Sequence, residues 1–421
     1  MIRARHWRPV LAAGLCAALP LLAGCSGGGG SAPARILPPA VASALSRNAG
    51  VPAETVAADN AFAFSTLAGL RAGAAATDNV FLSPTSLSIA LDIAYNGARG
   101  DTQTGMAQAL DLGAMTADTV NGDNAALQAS LVAPDPAVTL NIANSLWLRS
   151  GSLDPTFVSA NQQFYGSQIG DVSGAPANVN AWVNQQTAGK IETILPDADY
   201  SQALAILVNA VYFNATWTTP FDPSLTADAP FTNADGSTAP VKTMHAVGSY
   251  SYFKGARFQA LRLPYGTGRL GMVILLPDTD SSLNALVAGL TPDAWTTILG
   301  SLQTKTGSIA IPRVTSSFGA QMNDTLKSLG MTAAFDPSRA DFTGIAKIPG
   351  QNVYLQGVYH KTFLRIDEKG TEAAAATGVT IGVTDAPQLD FQMSVNRPFL
   401  CALVDEKTGI ILFIGTINHP V

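Results

Sequence analysis

Few residues in this 421-residue chain are spaced to do covalent chemistry. The histidines are His6, His245, His360 and His419, and neither an H-E-x-x-H nor a G-x-S-x-G frame exists. A catalytic dyad or metal site is poorly supplied, so no metal, no cofactor and no enzymatic activity are expected. Gly266-Thr267-Gly268-Arg269-Leu270-Gly271 matches the dinucleotide fingerprint G-x-G-x-x-G. The next residues, Met272 to Leu276, have a strand pattern, whereas the phosphate site needs a helix N-terminus there. The run therefore reads as a hairpin turn. Gly189-Lys190 lacks both the upstream glycine and the following Ser/Thr of a phosphate loop. Cys401, inside Phe399-Leu400-Cys401-Ala402-Leu403-Val404, reads as a buried, inert thiol.

The segment that stands out is suited to being acted upon. Residues 367–384 read DEKGTEAAAATGVTIGVT, with no proline after Thr371 and Glu372 as the one charge between Lys369 and Asp385. Thr371, Ala373, Ala375, Thr377, Val379, Ile381 and Val383 share one side of an extended strand, and this period of two predicts a half-buried strand. The first half, TEAAAAT, is helix-prone by propensity. Small side chains keep both states sterically cheap, as a conformational switch requires.

The elements that must position this segment are α+β in pattern. Residues 58–73 have helical spacing of Phe62, Leu67 and Leu70, with Asp59 or Asn60 as cap. Within 79–99 a short strand meets Ser83, and a helix starts at Pro84 with Leu87, Ala90, Leu91 and Ala94 as its buried stripe. A strand is predicted at 139–148 and a helix over 176–195 that ends at Gly189. The nearly unbroken apolar run at 203–213 belongs in a sheet covered on both faces. Strands are predicted at 258–264, 271–276 and 308–314, a helix at 318–330, and strands at 353–366, 398–405 and 410–416. Helices come mostly early and strands mostly late.

Hydrophobic residues make up 47% of the chain and charged residues 13%, ample for a large core, and the net charge is −6. No Lys/Arg cluster occurs after residue 30, which argues against nucleic acid or acidic membranes as partners. Arg3, Arg5 and Arg8 precede an apolar stretch, Val10 to Ala23, too short to span a bilayer. It ends Leu22-Ala23-Gly24-Cys25, which resembles a bacterial lipobox. That resemblance implies a signal peptide over 1–24, lipidation of Cys25 and export to the cell envelope, with the lipid as the sole membrane contact. Gly27 to Gly30 and the Pro/Ala-rich stretch beyond predict a flexible tether over 25–54, ahead of a folded domain at 55–421.

Asp367 to Thr377 resembles the reactive-loop hinge of inhibitory serpins, and Asn396-Arg397-Pro398-Phe399-Leu400 resembles the strand after that loop. Further matches run in order. They are Asn79 to Ser86; Asn180, Trp182, Val183, Thr187, Gly189, Lys190 and Ile191; Asn209 to Phe213 with Trp217; and Leu263-Pro264-Tyr265. The resemblance covers about residues 55–421. It implies a serpin fold with three β-sheets, eight to nine helices and an exposed reactive-centre loop. It also implies a monomer that inhibits a serine protease, with cysteine proteases a second target class, by a suicide-substrate mechanism. Glu368, Gly370, Thr371, Glu372, Ala373, Ala374, Ala375 and Ala376 take the role of the hinge. Glu368 takes that of the acid at the loop base, which pairs with a base the sequence does not identify. Ser83, Ser86, Asn209 and His360 correspond to the shutter that holds the central sheet closed, and Trp217 to the breach. Counting from the hinge glycine puts the cleaved bond at Thr384–Asp385, with Ile381, Val383 or a position past 384 as alternatives because the loop is long. No Arg or Lys lies in 370–396, which argues against a trypsin-like target and for an elastase-like or subtilisin-like one. The alternative is a non-inhibitory serpin acting as a cell-surface binding protein.

Overall fold

The computed structural model describes residues 37–132, 134–149, 151–371 and 388–420. Ten α-helices lie among them: α1 (Pro39–Ser46), α2 (Ala53–Gly73), α3 (Pro84–Tyr95), α4 (Gly100–Ala109), α5 (Ala117–Ser130), α6 (Pro155–Ala160), α7 (Ala177–Gln186), α8 (Leu283–Ala288), α9 (Pro292–Ser301) and α10 (Asn323–Ser328). The labelled strands are β1 (Val80–Leu82), β2 (Val138–Leu148), β3 (Gln168–Asp171), β4 (Ala205–Thr216), β5 (Ala227–Thr232), β6 (Thr238–Lys254), β7 (Phe258–Tyr265), β8 (Leu270–Pro277), β9 (Gln303–Pro312), β10 (Val314–Gln321), β11 (Leu355–Ile366), β12 (Gly370–Thr371), β13 (Phe391–Ser394), β14 (Phe399–Asp405) and β15 (Ile410–Ile417). Ser152–Leu153 and Ala346–Lys347 form a separate two-stranded pair.

The central sheet has the order β10-β11-β4-β2-β3, with the short β12 also on β4. The remaining strands form one nine-stranded ladder, β1-β15-β14-β8-β7-β6-β9-β13, with β5 also on β6. The long β6 divides it, because residues 238–243 pair with β5, 243–252 with β9, and only the last four, 251–254, with β7. The central sheet and the two halves of this ladder are the three sheets expected.

The continuous apolar run of β4 has the predicted cause. Leu207, Val211 and Phe213 join the main core, while Ile206, Val208 and Ala210 cluster with Val179 and Val183 of α7 on the opposite face. Every residue of α3 is buried, not only the stripe at Leu87, Ala90, Leu91 and Ala94. This helix lies inside the main core with β4, β8 and β14, so no face of it meets solvent.

Four sequence expectations need correction. Residues 39–46, placed in the tether over 25–54, form α1, whose Val41 and Ala44 bury against Ala125 and Ala129 of α5. Its alanine content serves helix propensity as well as flexibility. Asp59 and Asn60 do not cap α2, which begins six residues before Asp59; buried Asn60 instead bonds Gly409 O and Ile411 N–H. Residues 314–321 are a strand, not the start of a helix at 318. Alternating burial and eight pairs with β11 outweigh the apolar spacing of Phe318, Leu326 and Leu329, and the helix shrinks to α10. The helix expected to end at Gly189 stops slightly earlier, at Gln186, because Ala188 as well as Gly189 turns left-handed, at φ 52° and 80°.

Candidate functional site

The site is a junction in the central sheet. Strands β11 and β4 run parallel and are paired from Leu355↔Ala205 to Thr362↔Val211. Beyond that rung both continue, to Ile366 and Thr216, without pairing to each other. The opening between them is taken by β12, antiparallel to β4, with Gly370 opposite Thr216 and Thr371 opposite Ala215. Two parallel neighbours leave room for one antiparallel strand able to bond both edges.

A tight turn delivers β12 to this opening. Asp367 N–H donates to Gly370 O at 2.9 Å, and Gly370 N–H returns to Asp367 O at 3.2 Å. Trp217 clamps the turn from below: its backbone N–H donates to Lys369 O and its indole Nε1–H to Asp367 O, both at 2.8 Å. Gly370 has φ 149°, and a Cβ there would lie 2.0 Å from Ala215 O, so a side chain is excluded on two grounds. Thr371 points inward and is fully buried, with its hydroxyl 2.7 Å from that of Tyr265.

Glu368 sits beside the turn. Arg313, between β9 and β10, donates Nη2–H to Glu368 Oε1 at 2.6 Å and Nε–H to the same carboxylate at 2.8 and 3.0 Å. Thr226 adds a hydroxyl bond at 2.5 Å. Burial by itself would raise the Glu368 pKa, but the bonds from Arg313 and Thr226 outweigh it and hold it below the ordinary value. The basic partner of Glu368 is thus Arg313, which sequence spacing could not indicate across 55 residues.

Further down the same strand pair lies a buried polar cluster. His360 on β11 stands opposite Asn209 on β4, which stands opposite Asn144 on β2. The ring Nδ1 is 2.5 Å from Asn209 Oδ1, and Nε2 accepts the Ser83 N–H at 3.1 Å. The Asn209 amide donates to Ser86 O at 3.0 Å, to the Ser86 hydroxyl and to Asn144 Oδ1. Ser83 contributes its side chain elsewhere, to Leu412 O at 2.7 Å. This pattern requires a neutral imidazole with its proton on Nδ1. Burial supports it by driving the His360 pKa down from 6.5 to about 3.

The structure therefore brings Ser83, Ser86, Asn209 and His360 together, and sets Trp217, Glu368, Gly370 and Thr371 around the junction. Glu372, Ala373, Ala374, Ala375, Ala376, Thr384, Asp385 and Cys25 lie outside the described residues. Sequence reading assigned no role to Arg313, Thr226, Asn144 or Tyr265. Asn144 was legible in principle, as a polar residue in the predicted strand at 139–148, but its partner depends on register. The Gly266–Gly271 run is the β7–β8 turn, with Gly266 and Gly268 at φ 50° and 98°. Cys401 is buried, which pushes its thiol up to about 12. Among the described residues no group of three or more His, Cys, Asp or Glu could hold a metal ion.

Known proteins share this fold. A family model described as Serpin (serine protease inhibitor) matches residues 57–420. A serpin-like protein of Thermococcus kodakarensis is 34% identical over 349 residues, spanning 80% of this chain and 80% of its own. The native-state structure of tengpin, a thermophilic serpin, superposes with a TM-score of 0.81 at 27% identity, over 88% of this chain and 95% of that one. Human thyroxine-binding globulin complexed with thyroxine superposes with a TM-score of 0.79 at 25% identity, over 87% and 98% of the two chains.

Proposed function

The chain belongs to the serpin family, and we propose that it inhibits a serine protease as a suicide substrate. The observation that carries this reading is the junction itself: Gly370–Thr371 already occupies the mouth of an opening between two parallel strands, at the start of a segment patterned as a strand.

The protease serine attacks the carbonyl carbon of Thr384. The bond to Asp385 breaks, Asp385 leaves as a free amine, and the ester to Thr384 remains. Residues 372–384 then enter after Thr371 between β4 and β11. The β4–β11 pairs separate, and each strand gains an antiparallel partner, a slightly more stable pairing per residue. Val379, Ile381 and Val383 pass from water into the sheet, worth roughly 1.5–3 kcal/mol each when fully buried. Helix α7, packed over β4, must shift to let the strand pass. The tethered protease is dragged along and distorted before water reaches the ester. The His360–Asn209 bond closes the sheet until then, and small residues at 373–376 let insertion begin without steric conflict.

Small β-branched residues near 384 suit an elastase-like or subtilisin-like enzyme, and the same chemistry extends to a cysteine nucleophile. The signal at 1–24 and Cys25 support export of a lipid-anchored monomer to the cell envelope. A second reading, a binding protein, is favoured by the likeness to thyroxine-binding globulin. The small, uncharged run after Glu372 speaks for insertion instead. Mixing the protein with pancreatic elastase or subtilisin and running a denaturing gel decides between them. A covalent band is expected, and clean cleavage without one overturns the inhibitory reading.

A further inference from the structure

Tyr265, the last residue of β7, lies directly under the hinge and is fully buried. Its ring is gripped by neighbours: it stacks on Trp217 at 4.3 Å between centroids and meets Phe213 edge-on at 5.4 Å. The turn after it is anchored as well. Gly266 N–H donates to Thr216 O at 2.9 Å, and Asp135 accepts both the N–H and the hydroxyl of Thr267. Arg269 holds Asp405 through two bonds at 2.9 and 3.0 Å and the Ser130 carbonyl at 2.6 Å. The Tyr265 hydroxyl is therefore a fixed group that cannot move with the hinge if the hinge leaves. The small cavity that Thr371 lines is otherwise apolar, with Phe81, Phe213, Phe363, Leu364 and Phe413 among its walls. A buried phenol that lost Thr371 would face these side chains unpaired, which is costly.

We propose that Tyr265 is a positioning residue that reads the side chain at 371: a small hydroxyl residue there completes its bond and seats the first rung of the incoming strand before any cleavage. The seated rung removes the nucleation step, so the remaining residues only have to propagate. This inference deepens the inhibitory reading and rests on it for the effect on trapping, while the seating itself is testable without any protease. Threonine and serine satisfy the site. Valine has the shape without the hydroxyl.

The test compares wild type, Thr371→Ser, Thr371→Val, Tyr265→Phe and the Tyr265→Phe/Thr371→Val double variant. Hydrogen exchange is measured at the amides of residues 370 and 371 in uncleaved protein. Wild type and Thr371→Ser are expected to be protected. Each of Thr371→Val and Tyr265→Phe should lose protection roughly fivefold, the size of one hydrogen bond, and the double variant should lose no more than either single one. With a protease that wild type traps, the inhibitor consumed per trapped protease should rise in the same variants and stay low in Thr371→Ser. A wild-type hinge that exchanges like an unstructured peptide overturns the seating claim, even in a protein that traps protease. Losses that add in the double variant overturn the pairwise reading. A wild type that traps no protease overturns the inhibitory reading, and with it the effect on trapping, even where the exchange data uphold seating.

Discussion

His360 faces Asn209 across the parallel strand contact that must open for a strand to enter, with Nδ1 2.5 Å from the amide oxygen. Its other nitrogen accepts the Ser83 N–H at the start of α3. The ring therefore joins β11 to β4 and both to the helix beneath, and it does so only while neutral.

That requirement fixes a pH dependence. Burial lowers the His360 pKa from 6.5 to about 3 in the folded state. Its contribution is complete above pH 6.5 and is lost as pH falls toward 3, because the unfolded chain takes up a proton that the folded one refuses. The slope from this group is about 1.4 kcal/mol per pH unit. Two carboxyls act the other way: desolvation raises the half-buried Asp59 to about 7 and the buried Asp92 to about 8, so they favour the folded state as pH falls through that range. Comparing wild type with His360→Gln cancels them. Denaturant midpoints taken from about pH 7.5 to 5 should fall more steeply in wild type; parallel curves would contradict the assignment.

The Arg313–Glu368 pair should respond asymmetrically. The Glu368 side chain is 7% exposed and that of Arg313 46%. Arg313→Ala leaves a buried carboxylate with Thr226 as its remaining side-chain partner, whereas Glu368→Gln leaves an arginine that rehydrates. The first change should cost about 2 kcal/mol and the second about 1 kcal/mol or less, after allowance for the solvent reaching Arg313. Denaturant midpoints of the two variants measure this, and equal or reversed losses would refute it.

Gly370→Ala should expel the hinge. An added Cβ meets the Ala215 carbonyl oxygen at 2.0 Å, on a backbone that L residues rarely adopt. The cost is on the order of 1–3 kcal/mol, enough to unseat a two-residue strand. On a denaturing gel with elastase, cleaved product should grow at the expense of the covalent band. An unchanged ratio would show that the rung has no part in trapping.

Thr371→Arg is a harsher version of the same test. Position 371 is sealed beneath the sheet by aromatic side chains, and burying an unpaired guanidinium there is prohibitive. The variant should be cleaved at a normal rate and form no stable complex. Retained trapping would mean that the strand does not enter at this point.

Much of the fold was readable because its signals are local. The run at 203–213 declared a strand buried on both faces, and Ser83-Pro84 marked the start of α3, since one depends on composition and the other on backbone stereochemistry. The hinge, Trp217 and the His360 group are reached through resemblance; the structure sets Trp217 against the turn at 367–370 and, further down the sheet, gathers His360 with Asn209, Ser83 and Ser86, while 372–376 lie outside the described residues. The failures are long-range. Arg313 and Tyr265 meet the hinge across 55 and 106 residues, and nothing near either in sequence announces that meeting. Within the expected helix at 318–330, Phe318, Leu326 and Leu329 mimic helical spacing, while the pairing of 314–321 with β11 is invisible to any local window. α1 was missed because a Pro/Ala-rich composition also suits a linker, and only the apolar groove on α5 turns it into a packed helix.

The central claim is that the uncleaved chain is metastable and relaxes by taking its own loop into the gap between β4 and β11. The direct measurement is the melting temperature before and after a single cut in the segment 377–386, with both fragments retained. Burial of three β-branched residues and completion of two ladders should raise it by roughly 10 °C or more. An unchanged or lower melting temperature after clean cleavage would contradict the claim.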